Sequence, residues 1–270
     1  MTVIEKYNPR ADAVDSLLCV GLDSDLARIP EPFLRDGQPQ FVFNCSVIEQ
    51  THPYAAAYKI NTAFYEAHGE QGWRELRLTM DYLRQNHPTI FTICDAKRGD
   101  IGSTNDAYVK AIFDELGFDA VTLHPYLGRE ALQPFLARPD KGAIILCRTS
   151  NPGAGELQDL RGDGKPLWQI VAEKVSRDWN THHNCMLVVG ATYPDDLRQV
   201  RALVGDMTLL VPGVGAQGGE VERVVKAGLN RFGKGLIVSA SRSIIFADDP
   251  AGAAQGLRDQ INAAALRLAR

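Results

Sequence analysis

Short apolar runs, each six to nine residues long, recur along the chain and are separated by stretches long enough for a helix. They read "LLCVGLD" (17 to 23), "AAAYKIN" (55 to 61), "TIFTICDAK" (89 to 97), "DAVTLH" (119 to 124), "GAIILCRTS" (142 to 150), "CMLVVGAT" (185 to 192), "MTLLVPGVG" (207 to 215) and "GLIVSAS" (235 to 241). Each run is continuous rather than alternating, the pattern of a strand buried on both faces. Between them lie amphipathic segments. "STNDAYVKAIFDELGF" has a Ser/Thr cap at its start and Gly117 at its end, and "PLWQIVAEKVSRDWN" has Pro166 near its first turn with Leu167, Ile170, Val171 and Val175 on one stripe. Eight such strands alternating with helices predict an α/β fold, a (β/α)8 TIM barrel, as a single domain over 1–270. A doubly wound open sheet is the runner-up.

No Pro-, Gly- or Ser-rich linker divides the chain, and no repeat exceeds the βα alternation. The longest connections are 24 to 54, expected to hold a loop and a first helix, and "NPGAGELQDLRGDGKP" (151 to 166). The glycine content predicts mobile loops over 154–165 and 214–220.

With 270 residues, 45% hydrophobic and 23% charged, the chain can bury a full core. A net charge of -4 with scattered lysines and arginines argues against nucleic acid as a partner. "MTVIEKYNPRADAVDS" lacks the apolar core of a signal peptide and no stretch is long enough to span a membrane, so a cytoplasmic protein with no membrane partner is expected. Cys19, Cys94, Cys147 and Cys185 lie in or beside apolar runs, and no cysteine falls at a metal-ligand spacing; reduced, buried thiols are expected.

In such a barrel the chemistry sits where the strands end. The run ends supply Asp23, Lys59, Asn61, Asp95, Lys97, His124, Ser150, a glycine-rich turn and Arg242, which would converge on one mouth. Asp95 and Lys97 are two apart, so on an extended strand they face the same way. Gly99 allows a sharp turn, Asp100 lies beyond it, and Thr104 begins the next helix. A lysine among carboxylates stays protonated and suits a proton donor; the bland alternative is a salt-bridged rim.

"VPGVGAQGGEVERVV" matches G-x-G-x-x-G through Gly213, Gly215 and Gly218, but it follows the seventh strand and no acid lies where a dinucleotide ribose needs one. A phosphate cradle of backbone N–H groups there, aided by Arg242, fits better. "GLNRFGKG" (228 to 235) resembles a P-loop but ends in Gly235 and precedes a strand. His182 and His183 sit in a polar stretch, and His124 has no second ligand at a metal spacing.

These residues resemble the orotidine 5'-phosphate decarboxylase family, from Asp23 in "VGLDSD" to Arg242. Its most specific element, D-x-K-x-x-D-I-x-x-T, is read as Asp95, Lys97, Asp100, Ile101 and Thr104, with support from "SNPGA" and "PGVGAQGG"; the long loops resemble the bacterial branch with larger chains. The resemblance implies a homodimer with shared active sites, a small-molecule substrate, and no metal or organic cofactor. It implies a charge network of Lys59, Asp95, Lys97 and Asp100 of a second copy, with Lys97 protonating C6 and Asp95 near the substrate carboxylate. Asp23 and Lys59 would hold ribose hydroxyls with Thr104 of the second copy nearby, Ser150 the pyrimidine, and Gly215, Gln217, Gly218 and Arg242 the phosphate. His124 stands where asparagine is expected. Two alternatives stay open: a related metal-dependent sugar-phosphate decarboxylase or aldolase, and a non-catalytic phosphate-binding barrel.

Overall fold

Each of the eight apolar runs forms a parallel strand, and the strands close on themselves. In the computed structural model, which describes residues 3–215 and 218–268, they are β1 (Leu18–Gly21), β2 (Ala57–Ile60), β3 (Phe91–Arg98), β4 (Ala120–Leu123), β5 (Gly142–Arg148), β6 (Cys185–Val189), β7 (Leu209–Pro212) and β8 (Leu236–Ala240). Neighbours in sequence are neighbours in the sheet, and β1 pairs with both β2 and β8, with Cys19 opposite Ala57 on one side and Ser239 on the other. That double pairing rules out the open sheet.

The strands are apolar on both faces because two cores use them. Inward side chains such as Cys19, Phe91, Ile93, Ile144, Met186 and Ile237 fill the barrel. Outward ones such as Leu18, Val20, Ile60 and Val238 pack against the helix layer. Alternation at period two serves each core in turn, and each large side chain so buried contributes roughly 1.5–3 kcal/mol.

An N-terminal helix, Val3–Ala13, explains why only one end of the barrel is open. Val3, Tyr7 and Ala11 form its buried stripe and join the inner core. The Tyr7 hydroxyl donates to the Leu236 carbonyl at 2.7 Å, and its ring meets Phe91 edge-on at 5.5 Å. Leu236 and Phe91 begin their strands, so the helix plugs the strand N-termini and leaves the C-terminal ends as the mouth.

Three local expectations change. The helix Ser103–Val109 has Gly102 at its cap and no side-chain cap bond; Asn105 instead reaches back to Asp100. In the helix Leu167–Lys174, Val171 packs on the core and Val175 beyond it is buried as expected, but Leu167 is exposed and Trp168 is buried with Ala172 in its place, because the indole offers the larger apolar surface. Residues 151–166 are not plain loop: they form a turn at Pro152–Ala154, a short helix Gly155–Gln158 and a hairpin pairing Arg161–Gly162 with Lys165–Pro166.

Candidate active site

At the mouth, β1 to β3 deliver alternating charges. Lys59, only 6% exposed, places Nζ 2.8 Å from Asp95 Oδ2 and 3.7 Å from Asp23 Oδ1. Lys97 Nζ lies 2.7 Å from Asp95 Oδ1, which also accepts the Thr122 hydroxyl at 2.9 Å. Asp95 is therefore bound on both oxygens, the condition for keeping a buried carboxylate ionised. Burial alone would raise its pKa, but the two lysines outweigh it and hold the carboxyl well below the usual range. Burial would likewise lower Lys59, yet Asp23 and Asp95 keep its ammonium above the ordinary lysine value. Asp23 Oδ1 is buried with no hydrogen-bond donor among the described residues.

Asp95 and Lys97 meet, but not by strand alternation. Lys97 has φ +47, in the left-handed region, and the β3–β4 register shifts between Cys94 and Arg98. The Lys97 N–H leaves the ladder and donates to Thr122 Oγ1 at 3.0 Å. Arg98 fixes the next step: its carbonyl accepts the His124 N–H at 3.0 Å, and its guanidinium pairs with Glu66 and lies 5.2 Å from the Tyr108 ring.

Gly99 serves close approach more than a turn. A Cβ there would lie 2.7 Å from His124 Nε2, and that nitrogen donates to the Gly99 carbonyl at 3.0 Å. His124 thus braces the loop that carries Asp100; the left-handed positions are Lys97 and Gly102. Asp100 forms no ion pair with its own Lys97; its Oδ1 accepts the Ile101 N–H at 2.7 Å. Thr104 is exposed on the first turn of the helix beyond.

The opposite side of the mouth is open. A cleft of about 370 Å³ brings Asp23 and Lys59 together with Gly213, Val214, Ser241 and Arg242. Arg242 begins the short helix Arg242–Ile245, exposed and without an ion partner among the described residues. The Gly215 N–H points at the Glu220 carboxylate at 3.3 Å, and Gly218 opens the helix Gly218–Gly228; Gln217 lies outside the described residues. Ser150 is exposed just past β5, where Gly190 makes room for it: a Cβ there would be 2.8 Å from the Ser150 Cβ. A larger cavity, about 460 Å³, lies outside the mouth beside Arg148. Arg148 joins Asp159 of the 151–166 segment to Asp196 of the helix Pro194–Val204, each at 2.9 Å.

Among the described residues there is no group of three or more His, Cys, Asp or Glu able to hold a metal ion, and no helix is long and apolar enough to cross a membrane.

The model of the orotidine 5'-phosphate decarboxylase / HUMPS family matches residues 16–257. An orotidine 5'-phosphate decarboxylase from Cellvibrio japonicus is 47% identical over 273 residues, covering 98% of this chain and 99% of its own. The chain belongs to this family. A second decarboxylase of that name, from Roseiflexus castenholzii, is 46% identical with 98% of each chain covered. The solved structure of Leishmania donovani OMP decarboxylase superposes with a TM-score of 0.88 at 40% identity, over 98% of this chain and 99% of that one.

Within this decarboxylase family, the sequence-predicted residues divide into two groups. Asp23, Lys59, Asp95 and Lys97 form one connected set. Asp100, Thr104, Ser150 and Arg242 reach none of these four by hydrogen bond or ion pair. Sequence reasoning passed over Thr122, Arg98 and Arg148. Thr122 is the one polar residue in the "AVTL" of β4, and a hydroxyl inside a buried strand needs a partner. That was the available signal.

Proposed function

We propose that this chain decarboxylates orotidine 5'-phosphate to uridine 5'-phosphate in pyrimidine biosynthesis, with Lys97 as the proton donor and the whole of 1–270 as one catalytic domain. The observation that carries the reading is Asp95 held between two ammonium groups, Lys59 Nζ at 2.8 Å and Lys97 Nζ at 2.7 Å. Breaking the bond from C6 to the carboxylate leaves an electron pair on a vinyl carbon that no ring position can delocalise. A fixed ammonium at that carbon is the group that stabilises it. As carbon dioxide departs, one Lys97 Nζ–H proton passes to C6, and the neutral amine regains a proton from solvent. Asp95 holds the Lys97 Nζ in place at 2.7 Å, near the substrate carboxylate.

Asp23 Oδ1, buried without a donor among the described residues, and Lys59 suit ribose hydroxyls. Ser150 suits the pyrimidine ring. Gly215, Gln217, Gly218 and Arg242 suit the phosphate, where a helix start and a bidentate cation favour an anion. Phosphate binding so far from C6 contributes to the transition state if it aligns the charged end. A metal-stabilised enediolate would need these carboxylates as cation ligands, whereas Lys59 already stands between Asp23 and Asp95.

Two copies complete each site in this reading. Asp100 makes no ion pair with its own Lys97, and Ile101, the residue after it, is an apolar side chain left 62% exposed, a surface suited to a second copy. Asp100 and Thr104 of that copy would then face Lys97 and the ribose. Five free cysteines, four of them buried, fit a reducing cytoplasm.

The test is an ultraviolet assay of the purified chain with orotidine 5'-phosphate. Conversion at equal rates with and without chelator is expected. No turnover, or turnover abolished by chelator and restored by a divalent ion, contradicts the reading.

A further inference from the structure

We infer that Thr122 is a positioning residue for the decarboxylation, its hydroxyl holding the Lys97 backbone and the Asp95 carboxylate in one closed ring. The inference rests on the assignment of proton delivery to Lys97. A hydroxyl has one proton to give and lone pairs to accept with. Thr122 Oγ1 gives its proton to Asp95 Oδ1 at 2.9 Å and accepts the Lys97 N–H at 3.0 Å. Lys97 Nζ returns to the same Asp95 oxygen at 2.7 Å. Lys97 is thereby held at both ends, backbone and ammonium, by groups that share one anchor.

The anchor matters because Lys97 adopts a conformation that a lysine avoids. At φ +47 its Cβ crowds the backbone. Such a residue keeps its place only where its surroundings over-determine it. The downstream restraints, the His124 N–H on the Arg98 carbonyl and the Arg98–Glu66 pair, act on residue 98. Among the described groups, only Thr122 restrains the Lys97 amide itself. Without it, a relaxed backbone would carry the ammonium away from the reacting carbon.

Packing does not account for the hydroxyl. Thr122 is 1% exposed in a strand whose other members, Ala120, Val121 and Leu123, are apolar. Valine would occupy the same volume and leave the Lys97 N–H without its acceptor and Asp95 short of one donor.

The test compares Thr122→Val, Thr122→Ser and Lys97→Ala, with turnover expressed per uridine 5'-phosphate binding site from titration, so that partial misfolding does not imitate a loss. Thr122→Val is expected to lower kcat by about 10- to 100-fold, as misplacing a catalytic group by about an ångström does. Its affinity for uridine 5'-phosphate should stay within about threefold, because the phosphate grip lies elsewhere at the mouth. Thr122→Ser keeps the hydroxyl and should return kcat to within about fivefold of the wild type. If Thr122→Val yields no binding sites, Thr122→Ala takes its place with the same expectation. Unchanged kcat without the hydroxyl, a loss confined to KM, or a Ser variant as impaired as the hydroxyl-free one overturns the inference. Lys97→Ala separates the two layers: if it keeps its kcat, the assignment of Lys97 fails and this inference with it. If it is crippled while Thr122→Val is not, this inference alone fails.

Discussion

The two sides of the barrel mouth are built differently. Where β1 to β4 end, Asp23, Lys59, Asp95, Lys97 and Thr122 are already joined by ion pairs and hydrogen bonds, and Lys59 and Asp95 are buried. Where β5 and β8 end, Ser150 and Arg242 are exposed and make no such contacts among the described residues. Charges that must act on a carbanion gain most from being fixed before the substrate arrives, since no reorganisation is then needed during the reaction; Lys97, half-exposed at the mouth, is fixed by its pair with the buried Asp95. Groups that grip a phosphate must admit it from water. The division matches chemistry on one side and capture on the other.

Mutations on the two sides should therefore fail differently. The largest expected effect is on the fixed side: Lys97→Ala should lower kcat by about 10³-fold or more, while uridine 5'-phosphate still binds within a few-fold. Steady-state kinetics and product titration would check this, and a merely few-fold loss would remove Lys97 as the donor. On the open side, Arg242→Ala should lower kcat/KM by about 10- to 100-fold, mostly through KM, since a charged contact to phosphate is lost. An unchanged kcat/KM would take Arg242 out of the site.

A smaller effect concerns stability. The Asp95 carboxyl is held below its ordinary range by Lys59 and Lys97 against the opposing effect of burial. A depressed folded-state pKa adds stability above the unfolded value, near pH 4, and that stability drains as pH falls toward the folded value. Urea unfolding of Asp95→Asn should show a deficit of about 3 kcal/mol at pH 7. Below about pH 4 the gap from the wild type should narrow by roughly 1 kcal/mol per pH unit. A gap that is constant down to pH 3 would mean that ionisation of Asp95 does not stabilise the fold.

Much of this was legible in the chain. The eight runs mark the strands because burial on both faces leaves no polar alternation to confuse them, and run ends such as Asp23, Lys59 and Asp95 fall at the mouth because the barrel puts every strand's C-terminal end there. What escaped the sequence depends on contacts between distant segments. Nothing in "CDAKRGD" announces a left-handed lysine, because its restraint comes from Thr122, in the next strand. The N-terminal plug was invisible because Val3, Tyr7 and Ala11 look like sparse apolar residues until the barrel floor receives them. In the helix 167–174 only the leading position was misread, where Trp168 outweighs Leu167, while Val175 is buried as expected.

In the proposed site, the fixed, lysine-ended network of one chain is finished by Asp100 of a second copy. The direct test is to unfold, mix in equal amounts and refold two nearly inactive proteins, Lys97→Ala and Asp100→Ala. With random pairing, half of the dimers are mixed, and in each of these one site carries both lesions while the other carries none. Recovery of about a quarter of wild-type activity is expected. No recovery in dimers verified as mixed would contradict it and return Asp100 to the site of its own chain.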